Sequence, residues 1–135
     1  MALPFPDSLT AEAAHFFAAA AEGRLELQRC SACGKAWFFP RPACVACGAE
    51  RFVWFAASGR GRVHSYSIVH RAPSPEFGAR VPYVVALVDL EEGARMMANV
   101  VGQGALEVAI GDAVEVTFEA RGEGRRLPQF QRAGT

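Results

Sequence analysis

Cys30-Ser31-Ala32-Cys33-Gly34 and its echo Cys44-Val45-Ala46-Cys47-Gly48 hold every cysteine of the chain, and ten residues separate Cys33 from Cys44. A Cys-x-x-Cys turn lets two thiolates converge on one ion. The glycine after it takes a backbone conformation that a side chain resists, so that nearby N–H groups point at the sulfurs. Two such knuckles on a short connection supply a closed site of four thiolates, the usual form of structural zinc. A tetrahedral ion so held has no vacant position for a water, so its expected role is to hold structure.

Other uses of four cysteines compete. Disulfides allow three pairings, but paired Cys-x-x-Cys-Gly turns are poor disulfide geometry, and the N-terminus lacks the basic start and apolar run of a targeting signal. Iron in a rubredoxin-like site uses the same ligand set.

The 135 residues, 51% of them hydrophobic, suit one domain or a small domain with an appendage. No apolar run approaches the length that spans a bilayer, and a cytoplasmic protein is expected. Formal net charge is zero, so no overall positive field draws nucleic acid or an anionic membrane. Lys35 is the only lysine. Arginine suits bidentate contacts to phosphate or carboxylate, although the skew also fits a GC-rich genome.

Upstream of the knuckles, a Pro-containing leader precedes an alanine-rich helix from Ala11 to Glu22, with Thr10 as N-cap and Gly23 at the C-terminal cap. Leu9, Ala13, Phe16, Phe17 and Ala20 share a face at helical spacing. Phe16 and Phe17 either pack on the protein's own body or dock a partner. His15 reads as a surface or boundary residue. Arg24 to Gln28 alternates like a short strand entering the first knuckle. The aromatics of Ala36-Trp37-Phe38-Phe39-Pro40-Arg41-Pro42 are expected to cover the metal site, and Phe52-Val53-Trp54-Phe55 to run back along it as a strand. Arg29, Lys35, Arg41 and Arg51 offset the negative charge of a metal tetrathiolate.

Downstream the pattern turns to β. Arg62 to His70 places Val63, Ser65, Ser67 and Val69 on one face and Arg62, His64, Tyr66, Ile68 and His70 on the other. Residues 82 to 90 read as a strand buried on both faces at its middle. Glu91-Glu92-Gly93 turns into a strand over 95 to 101, a strand over 113 to 121 alternates with Val114, Val116 and Phe118 inward, and 127 to 130 forms the last. Five strands with one long early loop fit a small closed barrel of OB type. That loop, Arg71 to Val81, is long for so small a barrel and a place for function. Arg71 and Arg80 bracket it, with Arg60 and Arg62 just upstream. If the four guanidinium groups converge they hold phosphates bidentately; otherwise they are solvated charges, paired with Glu76. His64 and His70 have no nucleophile or carboxylate at a fixed spacing and read as structural.

The order of these motifs resembles the DUF35 family. The features that carry the likeness are Glu22-Gly23-Arg24-Leu25-Glu26-Leu27-Gln28-Arg29-Cys30, both knuckles with Phe39-Pro40-Arg41, Ser58-Gly59-Arg60-Gly61-Arg62-Val63-His64-Ser65-Tyr66, Pro82-Tyr83-Val84-Val85-Ala86-Leu87-Val88 and Ile110-Gly111-Asp112-Ala113-Val114. The resemblance implies a mainly β protein: an N-terminal leader and helix (1–24), a rubredoxin-like zinc ribbon of Cys30, Cys33, Cys44 and Cys47 (25–57), and a five-stranded OB-fold barrel (58–135). It implies a structural Zn2+ and a companion of thiolase-superfamily enzymes (thiolases, acyltransferases, steroid side-chain aldolases) or of MaoC-like enoyl-CoA hydratases. Such a companion binds the CoA part of acyl-CoA and leaves catalysis to its partner. This agrees with the residues themselves, where no nucleophile–base pair stands out. Thiolase-like enzymes form dimers, so a heterotetramer of two plus two is expected. On this reading Arg60, Arg62, Arg71 and Arg80 lie near CoA, and Phe16 and Phe17 at the partner.

A nucleic-acid-binding module is the alternative, because zinc ribbons and OB barrels both do that work. Balanced charge and the lack of a basic stripe among exposed aromatics argue against it. A rubredoxin-type electron carrier is a third, weaker reading, and a catalyst acting alone is the least favoured.

Overall fold

Local signals set the first element. In the computed structural model, which describes residues 5–6 and 8–133, helix α1 spans Ala11–Ala21. The Thr10 hydroxyl accepts from the Ala13 N–H at 3.1 Å and so caps an otherwise unpaired donor. At the other end Gly23 sits at φ 81°, the Gly23 N–H donates to Ala20 O, and the Arg24 N–H donates to Ala19 O. That is the Schellman pattern a C-terminal glycine allows. Residues 1–4 and 7 of the expected leader lie outside the described residues.

The helix buries Phe16, Ala19 and Ala20. Leu9, expected on the same face, is 38% exposed. His15 is more engaged than a plain surface residue. Its ring stacks on Trp54 at 4.0 Å, and its Nε2 lies 2.7 Å from Glu26 Oε1. That contact, with Arg24 beside it, holds the Glu26 carboxyl below its ordinary range.

Strands β1 (Glu26–Cys30), β2 (Ala36–Trp37) and β3 (Phe52–Ala56) form one antiparallel sheet in the order β2-β1-β3. Strands β4 (Arg60–Val69), β5 (Tyr83–Leu90), β6 (Arg95–Val101), β7 (Ala113–Ala120) and β8 (Arg126–Arg132) close a barrel in the order β4-β5-β6-β8-β7. The expected five-stranded barrel is therefore present. Its seam is the parallel pairing of β6 with β8, Val100 opposite Phe130. Beside the seam the Asn99 N–H donates to Gln129 Oε1 at 2.7 Å, and Gln129 Nε2 donates to Asn99 Oδ1 at 3.2 Å. These amides satisfy backbone that the short parallel ladder leaves unpaired.

Two expectations for the strands need correction. Val63 pairs with Val88 and Ser65 with Leu87, so His64 is skipped as a bulge. One extra residue reverses the faces beyond it, and Ile68, expected opposite Val63, packs on the core with it. Strand β5 is buried on one face only, at Val84, Ala86, Val88 and Leu90, while its other face is half-buried.

The helix, the ribbon and the barrel share a core. Phe16, Leu25 and Leu27 cluster with Val63, Val84, Val88, Met96, Val114 and Phe130 of the barrel, while Cys30, Trp37 and Cys44 form a smaller cluster under the knuckles. Strand β4 reaches this arrangement through Gly61, which pairs with both Leu90 and Val114. A Cβ on Gly61 would stand 2.6 Å from Asp89 O and 2.8 Å from Val88 Cγ1. Gly61→Ala is therefore expected to lower stability by about 1–3 kcal/mol, the usual range for overpacking. Denaturant unfolding checks this, and an unchanged midpoint would show that the strands part freely here. Among the described residues no helix is long and apolar enough to cross a membrane.

Candidate metal centre

The two knuckles are built alike. Gly34 N–H donates to Cys30 O and Gly48 N–H to Cys44 O, with Gly34 at φ 80° and Gly48 at φ 78°. Cys30 N–H donates to Lys35 O and Cys44 N–H to Ala49 O, each at 2.9 Å. The first sulfur of each turn collects amide donors: Ala32 and Cys33 to Cys30 Sγ at 3.3 and 3.4 Å, and Ala46 to Cys44 Sγ at 3.3 Å. The Cys33 N–H is the main cause that pushes the Cys30 thiol down to about 6, against the opposing effect of burial.

All four Sγ atoms lie within 4.8 Å of one another, and the pairs Cys30–Cys47 and Cys33–Cys44 are 3.6 Å apart. A tetrahedron with metal–sulfur bonds of ~2.3 Å has edges of roughly 3.8 Å, whereas a disulfide needs ~2.05 Å. The cluster fits a metal ion, and the cysteines are free thiols, not disulfides. Cys30 and Cys44 are buried, and Cys33 and Cys47 face out.

Of the inter-knuckle aromatics, Trp37 packs under the cluster, Phe38 joins the main core, and Phe39 is 65% exposed. The loop is held by a residue the sequence did not single out. Gln28 is fully buried; its Oε1 accepts from Trp37 Nε1 at 2.8 Å and from Arg41 N at 3.0 Å, and its Nε2 donates to Arg41 O at 2.7 Å. Its place on a strand entering a knuckle is the sole sequence signal for this role. Gln28→Leu strands two donors and an acceptor, so a loss of about 3 kcal/mol is expected by thermal or denaturant unfolding. A loss under about 1 kcal/mol would mean that water replaces the amide. The flanking cations are partly engaged: Arg29 donates to Gly34 O at 3.0 Å and lies over Phe55, and Arg41 lies over Phe39.

Of the two alternatives for the four arginines, convergence at one place is not what the fold gives. Arg60 pairs with Glu91 at 2.8 Å, and Arg62 donates to Gly111 O at 3.1 Å, both at the start of β4. Arg71 follows the far end of that strand, and Arg80 precedes Tyr83, the partner of Val69 there. The ten residues of β4 cover roughly 30 Å of chain, so two pairs stand at opposite ends. Arg80 pairs with Glu119 at 3.0 Å, not with Glu76, whose carboxylate bonds Ser74. His64 lies 3.4 Å from Asp89 and contacts Arg95, in keeping with a structural role. Phe16 is buried in the core, with Phe17 and Phe38 edge-on to it; Phe17 is half-buried at an apolar cleft it lines with Leu9, Phe39 and Met97.

Residues 17–53 match the model for the rubredoxin-like zinc ribbon domain of ChsH2, and residues 54–119 match that for its C-terminal OB-fold domain. A DUF35 domain-containing scaffold protein of Methanothermobacter thermautotrophicus is 41% identical over 71% of this chain and 73% of its own length. The chain belongs to the DUF35/ChsH2 family. A chain of the Ltp2-ChsH2(DUF35) aldolase superposes with a TM-score of 0.82 at 36% identity, covering 96% of this DUF35 chain and 100% of that one. A "Probable enoyl-CoA hydratase alpha subunit" of Thermomonospora curvata is 39% identical over 89% of this chain. This chain spans 37% of that subunit's length.

Proposed function

We propose that this protein is a non-catalytic accessory subunit of acyl-CoA metabolism. It assembles with a thiolase-superfamily enzyme (a thiolase, an acyltransferase or a steroid side-chain aldolase) or with a MaoC-like hydratase, and it binds the CoA part of the substrate. The observation that carries the reading is the full-length likeness to a chain of an aldolase. The relative among hydratase subunits keeps the second partner class in view. Cys30, Cys33, Cys44 and Cys47 hold a structural Zn2+, which fixes the ribbon and the inter-knuckle loop for docking. Phe17 belongs to the docking face, with Phe16 behind it as the wall. Arg71 and Arg80 form the basic pair that meets the CoA phosphates from the loop between β4 and β5, and Arg60 and Arg62 form a second pair at the opposite end of β4. The assembly is a cytoplasmic heterotetramer of two plus two.

Affinity purification from the native host, with mass spectrometry and metal analysis of the same sample, tests this. Stoichiometric recovery of a thiolase-like or MaoC-like protein, with zinc near one per chain, is the expected result. Recovery of nucleic acid with no such enzyme, or of iron in a coloured preparation, would overturn it.

A further inference from the structure

The ribbon sheet has two outer strands, and they are guarded unequally. On one side β2 is only Ala36–Trp37, too short to template another strand. On the other side β3 runs Phe52-Val53-Trp54-Phe55-Ala56 in unbroken register against β1. It carries none of the devices that blunt an edge: no charge, no proline and no bulge from Phe52 to Ala56. Val53 is 54% exposed, and Ala56 is exposed as well.

The hydrogen bonds at the two ends of β3 show which backbone groups face out. Ser31 N–H donates to Arg51 O, and Ala57 N–H donates to Leu25 O. Antiparallel strands alternate between bonded and unbonded positions. Val53 and Phe55 therefore turn their backbone groups toward β1, and Phe52, Trp54 and Ala56 turn theirs away from it. No strand of the ribbon lies on that side. The outward row is centred on Trp54. It stops at Ser58, whose N–H already donates to Glu92 Oε2 at 2.8 Å.

We propose that this edge is the contact surface for a second copy of the same chain, with β3 antiparallel to β3 about a two-fold axis at Trp54. In that register Trp54 faces Trp54, Phe52 faces Ala56 and Val53 faces Phe55 of the other copy. Every outward N–H then meets an outward C=O, and none is left over. This self-match decides for a second copy over an unrelated strand, because a row centred on one residue is its own complement. The side chains agree. Large meets small at the ends, an aromatic cross-strand pair fills the middle, and the exposed Val53 is covered. Trp54 is already fixed by its stacking on His15, so little side-chain freedom is lost on pairing. No like charges are opposed, since Arg51 falls opposite Ala57. The pairing consumes the edge in both copies and so closes at two. The accessory-subunit reading stands or falls separately from it.

Sedimentation and amide hydrogen exchange of the zinc-loaded chain, without partner, test this across micromolar to millimolar concentration. The mass is expected to rise to twice the 14.5 kDa of the chain. Exchange at the Phe52, Trp54 and Ala56 amides is expected to slow about tenfold or more as the dimer forms, with Val53 and Phe55 little changed because β1 already holds them. Val53→Lys puts a cation against Phe55 of the other copy, where Arg29 already lies 4.6 Å from the ring centroid. It is expected to leave a monomer throughout with zinc content unchanged, and Val53→Thr to retain the dimer. A monomer at every concentration would overturn the proposal. So would a dimer whose three outward amides exchange as in the monomer, or one that survives Val53→Lys. Protection of those amides only in the complex purified from the native host would give the edge to the partner enzyme and also overturn it.

Discussion

Joint replacement of Cys30 and Cys33 by Ser is expected to release the metal, collapse the ribbon and abolish partner assembly. The two residues supply half of the sulfur cluster, and Cys30 is also a core residue of the small knuckle cluster with Trp37 and Cys44. Structural zinc contributes an apparent ~10–16 kcal/mol in zinc-finger peptides, comparable with the ~5–15 kcal/mol of a whole domain. So few apolar residues under the knuckles cannot replace it. The barrel has its own buried residues, so the loss is expected to be uneven: strands β4 to β8 keep their far-ultraviolet signature while Trp37 becomes exposed. Metal content, tryptophan fluorescence and co-purification of the partner read the three effects. Chelation of the unaltered protein is expected to reproduce them. Retained zinc with intact assembly in the double variant would show that this cluster does not fix the docking geometry.

Phe130→Ala is expected to destabilise the barrel by about 3–5 kcal/mol, the range for a large aromatic deleted from a core. Phe130 has no exposed surface. It sits where the barrel closes, opposite Val100 on β6 and Val116 on β7. Collapse around the cavity is resisted because the parallel seam between β6 and β8 is short, with Asn99 and Gln129 already committed to it. The urea midpoint is expected to fall with little change of slope, since the area exposed on unfolding stays similar. A loss below about 1 kcal/mol would mean that the seam relaxes and the closure depends on other contacts.

The accuracy of the sequence reading follows the distance over which each signal acts. Thr10 and Gly23 cap the helix through partners three to five residues away. Each knuckle closes on itself through bonds of similar reach, so Gly34 and Gly48 announced the metal site. Strand β6 falls where alternation and the Glu91-Glu92-Gly93 turn placed it. The arginines, whose convergence the sequence left open, do not gather for the opposite reason. Nearness in sequence on an extended strand means separation in space, and β4 carries Arg60 and Arg71 to different ends. Gln28 was missed because its partners lie nine and thirteen residues away across a loop, and a buried amide looks like an exposed one in the sequence.

Composition, the four cysteines and the strand pattern by themselves determined a small mainly β protein with a four-thiolate ribbon, because these are consequences of local geometry and of which residues avoid water. Only the tertiary structure decided the bulge at His64, the parallel seam, the core shared by Phe16, Leu25 and Leu27 with the barrel, and the apolar cleft beside Met97. Each depends on register and curvature between distant segments, where a shift of one residue exchanges inside for outside, and no short stretch of chain encodes that choice.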